Sequence, residues 1–482
     1  MGRSTLPPAA YACEKTEEQL TDPARRLYFL LTGVLLSLVV LAGCQGEQPI
    51  PTLAAAARPV LGTGKAAAPE TGLPTGVPTN PLTPSPQLKA AHLSATAAPA
   101  GVRAPTEQRT ARHLRIFDQL YDLVLDNYVY PDFNGLNWPA WGAIYRERVA
   151  AGMTRAEFHQ AMTELVDKLN DGHSVFQSPT AADVTDAAIH GGYSTVGIGV
   201  ETAPRPDRDA AVLLDVYLGS PAWNAGLRPH DSLLSLDGNP ITHGTVQFAG
   251  SAGSPVVLTV QTPGQHPRQV TIVRATVPSP PPIVAGRWQD GEIVTILIRS
   301  FWNQDTTALL RRRLQELGAA GPISGLVIDL RTNQGGSEHS LLGALSLFAD
   351  GTLGHFARRD GDRPLVVVGE NVRDSQTLPL VILVGRETTS YAEIFAGVLQ
   401  STGRARLVGT VTGGNVETIW PHGFEDGSRV WIAEESFRSL SGGNWERDGI
   451  VPGYFVAADW AKFTADSDTQ FTTAIQLLQE MW

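Results

Sequence analysis

One stretch of the chain, residues 378–400, constrains the fold more than any other. Residues 380–384 read Leu-Val-Ile-Leu-Val, an unbroken apolar run with the length of a buried parallel strand. Gly385 follows, and the spacing of Ile394, Val398 and Leu399 then predicts a helix. Ser390 falls where the strand has turned and the helix begins. A buried strand that passes through a short turn into a helix indicates an α/β sheet.

Ser390 has two interpretations at this turn. A serine here would project from the carboxyl edge of the sheet, in front of the positive end of the helix dipole. That position suits a nucleophile whose attack creates an oxyanion. A serine that only caps the helix would occupy the same position. The local sequence leaves both interpretations open.

The N-terminal residues predict an export signal. Arg25 and Arg26 precede a mostly apolar segment, residues 27–42, which is shorter than the roughly 20 residues of a spanning helix. The segment ends in Leu-Ala-Gly-Cys and resembles a bacterial lipoprotein signal. We therefore expect residues 1–44 to be a signal peptide ending at a lipidated Cys44, which anchors an exported protein to the bacterial membrane on its extracytoplasmic side. The alternative is an uncleaved membrane anchor.

Residues 45–106 are rich in Ala, Pro, Thr and Gly and show no apolar periodicity. Such a segment cannot bury enough surface to fold, so it predicts a disordered tether. The net charge of −11 offers no basic surface for nucleic acid. Cys13 and Cys44 are the only cysteines, which predicts an exported domain without disulfides. No two histidines stand three or four residues apart, so we expect no metal and no cofactor.

Residues 107–185 predict a helical segment. Apolar residues recur at helical spacing from 114 to 128, and a second helix is expected over 138–150. Thr154 and Glu157 have the spacing of a capping box and predict the start of a third helix. That helix ends before Asp171-Gly172, and His173 follows.

Residues 186–280 predict a separate β-rich module. The segment 219–241, with Ser-Pro-Ala at a helix start, then Ala-Gly-Leu and a later Asp-Gly turn, resembles the PDZ domain. The resemblance implies that a peptide's terminal carboxylate is held by backbone N–H groups and that the peptide adds a strand beside them. The residues implied in this role are Gly197, Ile198, Gly199 and Val200.

Residues 281–460 alternate strand and helix patterns, which predicts an α/β core, and residues 461–482 predict a C-terminal helix. Within the core, the strand over 325–330 is followed by a loop that contains Gly335 and Gly336. Paired glycines at the carboxyl end of a strand permit close approach and leave backbone N–H groups free. Beside Ser390, they would form a candidate oxyanion hole.

Three motifs together resemble the tail-specific, or C-terminal-processing, serine proteases. They are residues 329–336 (Asp-Leu-Arg-Thr-Asn-Gln-Gly-Gly), residues 390–394 (Ser-Tyr-Ala-Glu-Ile) and residues 403–409. With the PDZ-like module, the resemblance covers residues 107–460. It implies an α/β (α+β) protease core with an N-terminal helical segment and an inserted PDZ domain. One branch of this family uses a Ser–Lys dyad, but Asn415 occupies the lysine position and no lysine lies between Lys168 and Lys462.

The other branch resembles the tricorn protease core and the interphotoreceptor retinoid-binding protein repeats. It takes its base from a histidine near the start of the domain and a glutamate near its end, which here implies His173 and Glu446. Serine needs such an adjacent imidazole, itself oriented by a third group. The implied catalytic residues are therefore Ser390, His173 and Glu446, with backbone N–H groups of Tyr391 and of Gly335 or Gly336 as the oxyanion hole.

Gly172 departs from the tricorn pattern, in which a serine before the histidine helps to link the glutamate to the imidazole. Glu446 must therefore reach His173 directly, through water or through another side chain. His339 and His422 remain alternative bases.

Two functions follow from these residues. The first is a lipid-anchored serine endopeptidase that recognises proteins with exposed C-termini through its PDZ module. The second is a binding protein for peptides or hydrophobic ligands on the same scaffold. The presence of Ser390, His173, Glu446 and the glycine pair together favours the peptidase.

Overall fold

A computed structural model describes residues 106–189, 194–205, 209–242, 246–248, 250–464 and 467–481. The predicted signal, the tether over residues 45–105 and Cys44 lie outside these residues. Within the described parts of the chain, no helix has the length and apolar character needed to cross a membrane.

The helices of the described residues, in chain order, are α1 (Glu107–Asn127), α2 (Trp138–Ala150), α3 (Arg155–Val166), α4 (Pro179–Ile189), α5 (Pro221–Asn224), α6 (Thr306–Ala320), α7 (Glu338–Ser346), α8 (Tyr391–Ser401) and α9 (Thr469–Gln479). The strands are β1 (Val175–Gln177), β2 (Ser194–Gly197), β3 (Val200–Arg205), β4 (Ala210–Val216), β5 (Ser232–Leu236), β6 (Asn239–Pro240), β7 (Pro255–Gln261), β8 (Arg268–Val273), β9 (Ala275–Pro278), β10 (Ile283–Arg287), β11 (Ile293–Ile298), β12 (Gly325–Asp329), β13 (Gly351–Arg358), β14 (Gly361–Val367), β15 (Leu380–Val384), β16 (Arg406–Gly409), β17 (Thr418–Gly423), β18 (Arg429–Ser439) and β19 (Tyr454–Phe455).

The central sheet has the strand order β10-β11-β12-β15-β16-β19, and all of its pairs are parallel except β10 with β11. β15 is buried along its whole length because both faces of the sheet are covered. Leu380 and Ile382 pack into the core that includes α8, while Val381 and Leu383 pack against α9. This two-sided burial explains the unbroken apolar run, and the α/β core is confirmed.

A second sheet has the order β1-β18-β13-β14, with β17 also paired to β18, and all of its pairs are antiparallel. β18 joins two parts of the molecule. Val430 and Ile432 pack with α1 and α3, whereas Phe437 packs into the core of the central sheet. Because β1 pairs with β18, the residues just before Val175 are fixed next to this sheet.

The β-rich module forms a sheet in the order β3-β4-β5-β7-β8, with β6 on β5, and a separate pair of β2 with β9. β3 is an edge strand. Ile198 and Gly199 form the turn between β2 and β3, so the apolar run of residues 196–200 contains two strand ends rather than one strand. Gly199 has φ +79°, and a Cβ there would lie 2.4 Å from the Ser220 Cβ, so this turn requires glycine.

The module contacts a segment near the C-terminus. Arg205 pairs with Asp459 at 2.6 Å, and the His230 ring stacks on Trp460 with 4.3 Å between centroids. Trp460 also lies 5.1 Å from the guanidinium of Arg331, the first residue of the loop that carries the glycine pair. The module therefore packs on residues that also contact this loop.

Candidate active site

Ser390 lies at the turn between β15 and α8, as the sequence predicts. It immediately precedes the first helical residue, with φ 57° and ψ −131°, a backbone region that non-glycine residues seldom adopt. The Glu393 N–H of the first helical turn donates to the Ser390 carbonyl oxygen at 2.8 Å. Thr388 stabilises the turn: its hydroxyl donates to the Leu330 carbonyl at 2.8 Å and accepts the Gly385 N–H at 3.0 Å. The strained backbone is therefore held by contacts on both sides.

Glu393 fastens this turn to the loop of residues 412–415. Its carboxylate accepts the N–H groups of Ser390 at 3.2 Å, Gly414 at 2.8 Å and Asn415 at 2.8 Å. The Ser390 N–H also donates to the Asn415 carbonyl at 2.7 Å. Glu393 is fully buried, and this burial raises its pKa to about 7. The position of Ser390 thus depends on a glutamate one helical turn further along the chain.

The glycine pair lies against Ser390 because β12 and β15 are adjacent and parallel, so the loops that follow them meet at one edge of the sheet. A Cβ on Gly335 would lie 2.6 Å from the Ser390 Cβ and 3.0 Å from its Oγ. A Cβ on Gly336 would lie 2.0 Å from the carbonyl carbon of Phe301. Both positions therefore require glycine.

Existing hydrogen bonds distinguish the three candidate oxyanion-hole donors, the N–H groups of Gly335, Gly336 and Tyr391. The Gly335 N–H is already engaged, since it donates to Asn333 Oδ1 at 2.8 Å. The N–H groups of Gly336 and Tyr391 donate to no acceptor within the residues that the structure describes. Tyr391 is also the first residue of α8, where the helix dipole favours negative charge. The arrangement favours Gly336 and Tyr391 as the donors.

His173 is buried in a tight turn after α3. Asn170 adopts the left-handed conformation with φ 49°, which reverses the chain. The Asp171 carboxylate then accepts the N–H groups of His173 at 2.9 Å and Ser174 at 2.8 Å, and also the Ser174 hydroxyl at 2.6 Å. The Ser174 hydroxyl in turn accepts the Ala433 N–H of β18 at 3.1 Å. The second sheet therefore fixes the backbone turn that carries His173.

Two carboxylates flank the same imidazole nitrogen. His173 Nε2 lies 3.6 Å from Glu446 Oε2 and 3.6 Å from Glu417 Oε2. Glu446 reaches His173 without an intervening side chain, and its Oε2 is held by the Val416 N–H at 2.8 Å. Glu417 is buried, and neither of its oxygens forms a hydrogen bond in the described part of the chain.

Burial and neighbouring charges both shift the pKa values of the groups in this cluster. Burial alone would lower the pKa of His173, but the adjacent Glu446 and Glu417 outweigh it and raise that pKa to about 9. Burial, reinforced by the Glu446 charge, raises the pKa of Glu417 to about 8. Burial also raises the pKa of the neighbouring Tyr130 phenol. The imidazole is therefore held in an acidic, dry surrounding.

Consecutive residues connect the serine to this cluster. The Asn415 carbonyl holds Ser390, the Val416 N–H holds Glu446, and Glu417 faces His173. Among the described residues no hydrogen bond joins Ser390 to His173. Such bonds are often long in free enzymes and shorten in the complex with substrate.

The alternative histidines lie elsewhere. His422 pairs with Glu434, with 2.6 Å between Nε2 and Oε1. His339 lines a surface cavity of about 480 Å³ between α6, α7 and β14. Neither has a hydrogen bond to the Ser390 turn within the described residues.

Glu417 is the residue of this cluster that the sequence analysis does not identify. The only available signal is its position two residues after Asn415, in the loop that carries the base in the Ser–Lys branch. The ligand atoms of His173, Glu417 and Glu446 all lie within 4.8 Å of one another, so this cluster is where the described residues could hold a metal ion. We interpret it as a base rather than a metal centre because residues 415–417 connect it to a serine on a strained turn.

The fold and the shape of the Ser390 turn define a class: a mixed α/β core in which a serine stands between a parallel strand and a helix. Residues 292–456 match the model of peptidase family S41, and residues 110–167 match the Tricorn protease C1 domain. These matches, with the curated relatives below, show that the chain is a serine-type peptidase.

The chain is similar to two curated relatives over most of their length. The carboxyl-terminal-processing protease of Picosynechococcus sp. is 27% identical over 378 residues, which are 75% of this chain and 88% of the relative. The carboxy-terminal processing protease CtpB of Bacillus subtilis is 26% identical over 367 residues, 74% of this chain and 70% of the relative. In fold, the chain resembles the photosystem II D1 C-terminal processing protease, with a TM-score of 0.56, 24% identity and coverage of 71% of this chain and 93% of that one.

Proposed function

We propose that the chain is an exported, lipid-anchored serine endopeptidase that uses Ser390, His173 and Glu446 and selects protein substrates partly by their carboxyl terminus. The observation that carries the proposal is the connection through residues 415–417 of a serine on a strained turn to a buried His–Glu cluster. The predicted lipoprotein signal over residues 1–44 supports the anchoring. The similarity to carboxyl-terminal-processing proteases supports the substrate class.

The proposed reaction is acyl transfer in two stages. Ser390 Oγ forms a bond to the substrate carbonyl carbon while its proton passes to His173. The N–H groups of Gly336 and Tyr391 stabilise the oxyanion, and the C–N bond then breaks as His173 returns the proton to the leaving amine. A water molecule, deprotonated by His173, hydrolyses the ester and frees Ser390. Glu446 orients the imidazole and stabilises its charged form.

A fluorophosphonate probe tests the proposed nucleophile directly. We expect the folded protein to react with one equivalent of probe, and mass spectrometry should locate the adduct on Ser390, because an activated hydroxyl displaces fluoride far faster than an ordinary one. Protein unfolded in denaturant is the control and should not react. An adduct at another residue, or none, would contradict the assignment and would favour a binding protein on this scaffold.

The proposed C-terminal selection rests on the edge strand β3 and the turn of residues 197–199 before it. An incoming peptide would pair with β3, and the N–H groups of the turn would hold its terminal carboxylate. We expect an apolar-ended peptide to bind the Ser390→Ala variant about ten- to a hundredfold more tightly as the free acid than as the amide, since charge-assisted bonds contribute roughly 1.5–3 kcal/mol. Isothermal titration with the two peptides measures the ratio. Equal affinities would remove C-terminal selection from the proposal and leave the peptidase assignment intact.

A further inference from the structure

Glu417 is a buried carboxylate for which the mechanism above has no role. The residue is 2% exposed, and neither of its oxygens is hydrogen-bonded among the described residues. A buried carboxylate in this condition is costly unless it is paired or carries a proton. Such groups concentrate at functional sites, where their cost is tolerated.

The geometry places Glu417 in competition with Glu446 for one nitrogen. Both carboxylates lie 3.6 Å from His173 Nε2. Glu446 accepts the Val416 N–H at 2.8 Å, whereas among the described residues Glu417 has no backbone donor. Two carboxylates that share a buried site do not both ionise readily, and burial with the Glu446 charge raises the pKa of Glu417.

The groups that face this cluster come from several segments. Three of them are carboxylates: Asp171, on the loop of His173, Glu417 and Glu446. Two are phenols from the segment after α1, Tyr128 and Tyr130. A further group is the cation Arg447, which is next to Glu446 in the sequence. Asp171 is already satisfied by the His173 and Ser174 N–H groups. Glu417 is therefore the group whose protonation can change beside the imidazole.

We propose that Glu417 is a second positioning carboxylate for His173, and that the charge it places beside the imidazole sets the pH at which His173 becomes a base. The proposal rests on the proposed peptidase function and names a regulator of the same site. The imidazolium loses one proton to solvent when it becomes a base, and a negative Glu417 opposes that loss because its Oε2 lies 3.6 Å from Nε2. The raised pKa values of both groups agree with this arrangement.

The sign of the effect follows from the charge. A negative Glu417 stabilises the imidazolium, so His173 loses its proton at a higher pH. The rise of kcat/KM with increasing pH is therefore shifted to a higher pH. Glu417→Gln removes that charge and keeps the shape of the side chain. We therefore expect the acid limb of the kcat/KM profile to move down by about one to two pH units. A residue with only a structural role would lower kcat/KM equally at every pH and would not move the limb.

The experiment measures kcat/KM at on the order of ten pH values between pH 5 and 10. It compares the full chain, Glu417→Gln and a matched control. Glu434→Gln is the control, because Glu434 is another buried carboxylate beside a histidine, His422, and lies outside the site. All buffers contain a chelator, since the cluster could also hold a metal ion. An unmoved limb in Glu417→Gln, or an equal shift in Glu434→Gln, would overturn the proposal.

A second measurement is independent of activity and of whether Glu417→Gln folds. In the Ser390→Ala chain with labelled histidine, the His173 ring signal should move in two coupled steps, because a neighbouring carboxyl titrates in the same range. Loss of the signal in His173→Gln identifies it. A single step near the ordinary value of about 6.5 would overturn the role of Glu417 even if the peptidase function held. Conversely, two steps in Ser390→Ala together with no peptidase activity in the parent chain would refute the proposed function alone.

Discussion

Ser390→Ala is expected to abolish peptide-bond hydrolysis by this protein, with kcat/KM for an unfolded protein substrate falling on the order of 10⁴-fold or more. In the proposed mechanism the substitution removes the hydroxyl oxygen that forms the ester, while the proposed oxyanion donors on Gly336 and Tyr391 remain. Release of peptides from a labelled, unfolded substrate measures the loss. The fold should persist, because the backbone N–H and carbonyl of Ser390, which alanine keeps, bond Asn415 and Glu393, and alanine meets the same positive φ. The unfolding midpoint should shift by less than about 3 °C.

Ser401→Ala is the matched control for this variant. Ser401 lies at the other end of α8, and its hydroxyl donates to the Val398 carbonyl at 3.1 Å, so its loss perturbs the same helix without touching the turn. We expect parent activity from it. If Ser390→Ala cleaves within about tenfold of the parent, another residue is the nucleophile, because removal of a catalytic serine costs orders of magnitude.

Much of the central sheet could be predicted from the sequence because its signals are local. The apolar run of β15 is continuous since α8 and α9 cover its two faces, and its bounds match the expectation. The Thr154–Glu157 capping box is present, with both reciprocal hydrogen bonds. Each of these features depends on residues within a few positions of one another, which a sequence displays directly.

The second sheet was not predicted, and the reason is physical. β18 pairs with β1, β13 and β17, and Val175 of β1 pairs with Trp431, far away in the chain. β18 is buried along nearly all of its length, so it lacks the alternating pattern that marks a half-exposed antiparallel strand. Because His173 is positioned through this sheet, the sequence could nominate the histidine but could not place it.

The residues of the candidate site also divide into those that a local sequence pattern indicates and those that only the folded structure reveals. The glycine pair follows a recognisable strand, whereas the engagement of the Gly335 N–H by Asn333 Oδ1 is a side-chain contact that no spacing reveals. Glu417 is a stronger example. Its importance arises only when the segments carrying residues 173, 417 and 446 meet, and a glutamate alone in a loop carries no signal. The lipid anchor at Cys44 and the C-terminal selection remain predictions.

The second large expected effect is the loss of activity when His173 is replaced. His173→Gln should lower kcat/KM by about 10³-fold or more, because the Ser390 hydroxyl then has no acceptor for its proton. His422→Gln is the matched control, since His422 also pairs with a buried glutamate but in a different part of the second sheet, and it should retain parent activity. Loss of activity in the control, with retention in His173→Gln, would move the base to His422.

Asn415→Lys in the His173→Gln background tests whether the serine could use the base of the Ser–Lys branch instead. The Asn415 side chain is buried, and its backbone N–H already donates to the Glu393 carboxylate. A lysine here would lie among Glu393, Glu417 and Glu446, and such neighbours favour the charged ammonium, which has no lone pair to accept a proton. We therefore expect the double variant to remain as inactive as His173→Gln between pH 6 and 10. The same kcat/KM assay, at on the order of ten pH values, measures this. Recovery to within about tenfold of the parent would show that this scaffold accepts a lysine base at residue 415. In that case the buried acidic cluster would not be what excludes the Ser–Lys mechanism.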